Sequence, residues 1–180
     1  MESTTSTALE AARMVAQVLH RLGEHQQARA LDEDTLARYR RVLGEDHPDT
    51  LTSANDLARD LSALGEYEQA RVLHEDTLAR SRRVKGEDHP HTLGSVNNFA
   101  RDLSALGEYE QARVLNEDTL ARSRRVLGED HPDTRSFAET WRRRCGSWAK
   151  LRDNGRRLRP RPTSATPARL ENSATTKTHV

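Results

Sequence analysis

Cysteine occurs once in the 180 residues, at Cys145, which excludes an intrachain disulfide and any zinc site built on paired cysteines. Aromatic residues make up 4% of the chain and hydrophobic residues 34%, too little apolar mass for one deep compact core. An elongated, shallow core is expected instead. No stretch approaches the roughly 20 apolar residues of a membrane span, and the N-terminal MESTTSTALEAARMVAQVLH never sustains an apolar run of signal-peptide type. The motifs GxxxxGK[ST], GxGxxG and HExxH are also missing, which removes the sequence case for phosphate cradling, dinucleotide binding and zinc-protease chemistry. These absences lead to the expectation of a cytoplasmic chain that is not an enzyme and needs no cofactor.

What is abundant is charge, at 32% of residues with a formal net charge of +1. That near-neutrality conceals an uneven distribution. Residues 1–134 carry 17 Lys and Arg against 25 Asp and Glu, and residues 135–180 carry 12 against 3. Two differently built segments meet near Thr134.

The acidic segment is repetitive. Residues 44–85 laid over 86–127 are identical at 35 of 42 positions without a gap, and DEDTLARYRRVLG (32–44) extends the same frame towards the N-terminus. A period of this length indicates stacked units, divided as 2–43, 44–85 and 86–127, with a degenerate fourth at 128–152 and a basic tail at 153–180.

Each unit contains two amphipathic stretches. In TLTSANDLARDLSALG, Ala54, Leu57, Ala58, Leu61 and Leu64 recur at three- and four-residue spacing, and Gly65 follows where a helix end favours left-handed backbone. In EYEQARVLHEDTLARSRRVK the stripe is Tyr67, Ala70, Leu73, Thr77 or Leu78, and Val84, with acids early and arginines late, as the helix dipole favours. The connector GEDHPDT at Gly44 returns as GEDHPHT at Gly86 and again as GEDHPDT at Gly128. Its glycine stops one helix and its proline suits the first turn of the next, with Asp46 or His47 at the N-cap. His47, His89 and His131 recur too far apart, at about 18–20 Å per stacked helix pair, to share one metal ion, so no metal site is expected there.

The residues LGEDHPDT, NDLA, NNFA, LGEYEQA and EDTLARSRRVLG resemble the tetratricopeptide repeat, specifically the 42-residue variety of kinesin light chains and many bacterial signalling proteins. The likeness covers about residues 2–134. It implies an all-α, right-handed solenoid of antiparallel helix hairpins, whose first helices line a groove for a peptide. Carried over in register, the groove positions are Glu10, Arg13, Gln17 and His20, then Thr52, Asn55, Arg59 and Ser62, then Gly94, Asn97, Arg101 and Ser104. The resemblance implies that asparagines such as Asn55 and Asn97 bond a ligand's backbone. His74 and Asn116 stand where the family usually has a bulky apolar residue, and Thr77 and Thr119 where alanine is commoner, which suggests looser helix packing.

Three of the seven differences between the duplicated units, Asp49/His91, Thr52/Gly94 and Asp56/Asn98, fall on one face of the first helix. Asn98 therefore joins the candidate groove residues. Beyond Thr134, Phe137, Trp141, Cys145 and Trp148 keep a spacing of 4, 4 and 3, so residues 132–151 read as a helix capping the array. Cys145 falls on its apolar face and reads as a small hydrophobe. The segment rich in Arg, Pro, Ser and Thr after it reads as disordered.

The leading expectation is a scaffold that binds a protein or peptide. The alternatives are an adaptor whose Arg156, Arg157, Arg159 and Arg161 contact nucleic acid, and a remnant of a larger signalling protein whose tail was altered by truncation or a frame shift.

Overall fold

A computed structural model describes the backbone of residues 2–153 and the side chains of residues 7–143. Among the described residues seven helices follow one another: α1 (Glu2–Leu22), α2 (His25–Leu43), α3 (Pro48–Ala63), α4 (Tyr67–Lys85), α5 (Pro90–Ala105), α6 (Tyr109–Leu127) and α7 (Pro132–Asp153). Each packs on its neighbours in sequence, and α3 also touches α1 and α5. The first helices of the three hairpins thus form an inner row, as the array reading requires. The side chains of Cys145 and Trp148, and all of residues 154–180 with their arginine cluster, lie outside the described residues.

Two kinds of connector build this array. Within a hairpin, Gly65 has φ +82°, its N–H donates to Ser62 O at 3.1 Å, and Glu66 N donates to Leu61 O at 2.9 Å. These paired bonds satisfy carbonyls that the helix end would leave open. Between hairpins, the alternatives for the N-cap resolve to His47, whose Nδ1 accepts from Asp49 N at 3.2 Å, with Pro48 at the first helical position. Asp46 instead accepts from Arg80 at 3.0 Å and Arg83 at 2.6 Å on α4. Asp88 repeats the device with Arg122 and Arg125. The loop thus caps one helix and ties itself to the second helix of the same hairpin.

The core consists of small clusters, as the low apolar content requires. Leu36, Ala54, Leu57, Leu61 and Ala70 form one, while Ala100, Leu103 and Ala112 form another with Phe99 and Leu115 against them. Phe137 of α7 packs with Leu93 and Leu120, so the seventh helix covers the third hairpin. Val84, expected on the inner stripe, is 43% exposed. It lies one residue before the end of α4, where the chain turns away at Gly86.

The polar departures do not loosen the packing. His74 and Thr77 are buried, and the Thr77 and Thr119 hydroxyls each donate to the carbonyl four residues back at 2.7 Å. A hydroxyl satisfied within its own helix costs little when buried.

Candidate functional site

Charged and amide side chains join consecutive hairpins along the inner row. Gln17 Nε2 donates to Asp56 Oδ2 at 3.1 Å, Arg59 Nη2 pairs with Asp56 Oδ1 at 3.0 Å, and Arg13 lies 3.7 Å from Asp56 Oδ2. His20 Nδ1 bonds Asp60 Oδ1. At the next junction Asn55 Nδ2 donates to Ser95 Oγ at 2.9 Å, and the Ser62 hydroxyl reaches Asp102 Oδ1 at 2.6 Å. The same Asp102 meets His74 Nδ1 through its other oxygen at 2.5 Å.

Asp32 of α2 occupies the position 42 residues before His74 and is buried. Burial, then the negative charge of Asp56 and a hydrogen bond with Asp60, push its carboxyl up to about 8, against the opposing pull of Arg59. Two carboxylates cannot both stay charged at such a site. The Asp32 carboxyl is thereby held towards its neutral form beside Asp60.

Farther along the row a cleft of about 400 Å³ opens, lined by His20, Arg59, Ser62, Tyr67, Arg101 and Ser104 among others. Five groove positions from the sequence, His20 included, meet there. Arg13, Gln17, Thr52, Asn55, Asn97 and Asn98 do not line it. Thr52 turns its hydroxyl to Pro48 O at 2.9 Å, and Asn55 spends a donor on Ser95. Asn97 and Asn98 are half-buried, and Asn97 makes no side-chain hydrogen bond among the described residues.

The cleft is cationic at its base. Arg59 Nε and Arg101 Nε and Nη2 are buried without hydrogen-bond partners among the described residues. Asp102 Oδ1 stands 4.0 Å from Arg101 Nε, and burial lowers the Arg101 pKa below the usual guanidinium range. A guanidinium held this way presents a planar fork to an arriving carboxylate or carbonyl. Tyr67 and the interior aspartates are the site residues that sequence reasoning missed. The available signal was the polar series Asp32, His74 and Asn116 at one repeat position.

Two stretches match family models of the tetratricopeptide repeat, residues 7–83 and 92–133. No curated protein matches the sequence. Among solved structures, the nearly identical TPR-like repeats of a candidate kinesin light chain from Podosopora anserina superpose with a TM-score of 0.73 at 26% identity, covering 81% of this chain and 69% of that one. BtubC (BKLC) from P. vanneervenii gives 0.67 at 18% identity, over 92% and 71% of the two chains, a likeness of fold.

Proposed function

Because the chain belongs to the tetratricopeptide-repeat family, a group associated with protein–protein interaction, we propose that it is a noncatalytic scaffold that holds an extended peptide segment of a partner in the cleft between α3 and α5. The observation that carries this reading is the set of buried, unpartnered N–H groups of Arg59 and Arg101 at the cleft base. Unsatisfied buried donors cost stability, and an acidic or carbonyl-rich peptide removes that cost on binding. Ser104 and Asn97 supply further polar contacts along the row. The reading includes the division into three hairpin units at 2–43, 44–85 and 86–127, a capping unit at 128–152 and a cytoplasmic setting. Among the described residues no helix is long and apolar enough to cross a membrane.

Panning a display library of extended peptides against the full chain tests the proposal. Selected peptides should be enriched in Asp and Glu and lose affinity at least about tenfold, or 1.4 kcal/mol, against Arg59→Ala combined with Arg101→Ala. Asn97→Ala is a cleaner probe of the asparagine row than Asn55→Ala, since Asn55 also joins two hairpins. Peptides that bind the double arginine variant unchanged would sink the cleft assignment.

A further inference from the structure

The junction between the first two hairpins gathers a second set of groups, separate from the two arginines. His20 near the end of α1, His25 at the start of α2 and Asp60 of α3 each offer a ligand atom, all within 4.8 Å of one another. The two imidazoles meet edge to face with centroids 4.9 Å apart. Asp60 is 1% exposed, whereas both histidines are half-buried, so the cluster has a deep anchor and an open mouth.

Two of these groups have unused bonding capacity. His25 Nδ1 and Asp60 Oδ2 are both buried with no hydrogen-bond partner among the described residues. Unpaired buried polar atoms are uncommon enough to need an explanation. The next junction provides an internal control. Forty-two residues on, His20, His25, Asp32 and Asp60 become Ser62, Tyr67, His74 and Asp102, and there Ser62 and His74 satisfy both oxygens of Asp102. The duplicated framework therefore closes this position with a hydroxyl and one imidazole. At the first junction it instead brings together two imidazoles and a buried carboxylate.

We propose that His20, His25 and Asp60 form a binding site for a borderline divalent transition-metal ion, zinc foremost, that staples the first hairpin to the second. Two imidazole nitrogens and one carboxylate oxygen suit such an ion, while magnesium and calcium prefer all-oxygen shells. Tetrahedral zinc with bonds of about 2.1 Å places its ligands about 3.4 Å apart, so on loading the hydrogen-bonded His20–Asp60 pair opens while the wider separations close. His20 exchanges its hydrogen bond to Asp60 for the metal. Buried Asp32 of α2 lies behind the site as a polar neighbour of the ligating carboxylate. Water takes the fourth position on the open side.

The test uses the full chain, freed of metal by dialysis, with Zn2+ itself as probe and a chromophoric chelator as competitor. One equivalent should bind in the micromolar range or tighter. The thermal midpoint should rise with Zn2+ and not with Mg2+, and Co2+ should give the visible absorption of a tetrahedral site. His20→Ser combined with His25→Tyr installs the residues that the second hairpin already accommodates, and should weaken binding at least about tenfold and abolish the thermal shift. If circular dichroism shows that variant unfolded, His25→Ala alone is measured for the same loss. A triple change of His47, His89 and His131 to Ala should leave uptake intact. No binding at 100-fold excess of Zn2+ over protein, loss of uptake in the triple variant, or unchanged uptake in folded His20→Ser/His25→Tyr or His25→Ala each overturns the site.

Discussion

His74 Nδ1 on α4 and Asp102 Oδ2 on α5 meet at 2.5 Å with both side chains fully buried. The pair joins the second hairpin to the third through a polar contact at a place where an apolar contact would also serve. Removing one partner leaves the other unsatisfied, whereas replacing both by apolar residues removes two desolvation costs together. His74→Leu and Asp102→Leu should each cost about 3 kcal/mol in urea unfolding, and the double change should cost at least about 1 kcal/mol less than their sum. Strict additivity would show that the two residues are not coupled.

The connector aspartates make stability depend on acid. Asp46 is held below the ordinary carboxylate range first by its hydrogen bond to Arg80 and then by Arg83. Its contribution is therefore present above the unfolded value near 3.9 and disappears as pH falls through the lowered folded value. The group is exposed, so the effect is small and screened by salt. Urea titrations should show wild type above Asp46→Asn at pH 6, with the difference closing at about pH 2.5 and in roughly 0.5 M salt. A difference that ignores pH and salt would assign Asp46 a packing role instead.

The helices, their order and the connector geometry were legible because they follow from short-range rules. The apolar spacing of Leu57, Leu61 and Leu64, the glycine stops and Pro48 each act within one or two turns of chain. The aspartate network was not legible for the opposite reason. Asp60 and Asp102 each follow an arginine in a mixed polar stretch, and their partners stand 28 to 40 residues away, so in one dimension they read as solvated charges. The histidines drew attention for their repetition at His47, His89 and His131, yet His47 caps a helix, and the imidazoles that assemble are the unrepeated His20 and His25. Of the positions expected from the resemblance, His20, Arg59, Ser62, Arg101 and Ser104 line the cleft. The resemblance could not reveal that Asn55 and Ser62 bond the following hairpin.

Two glycines of the third repeat should respond oppositely to alanine. Gly86 ends α4 with φ 91° and ψ 161°, a region open essentially to glycine alone, so Gly86→Ala should cost about 1–3 kcal/mol. Gly94 lies within α5, and a Cβ built there meets nothing within 4 Å. Gly94→Ala should stabilise by up to about 1 kcal/mol through helix propensity. Thermal unfolding followed by circular dichroism reads both shifts, and a common direction would contradict the backbone assignment.

Arg101 links stability to binding. Its buried Nε and Nη2 make no hydrogen bond among the described residues, and each such donor carries a desolvation cost of about 1–3 kcal/mol. A residue kept at that cost in the unliganded chain is expected where recognition, rather than stability, requires it. Arg101→Met keeps an unbranched aliphatic side chain in the cleft lining and removes the unsatisfied donors. It should raise the urea midpoint of the free protein by the equivalent of about 1 kcal/mol and weaken acidic peptides selected on wild type. Arg101→Lys separates the fork from the charge: it keeps the cation but cannot make the paired planar contact. Lysine should therefore bind more weakly than arginine and more tightly than methionine. Destabilisation by Arg101→Met in the free chain would instead make the arginine a structural element of the third hairpin.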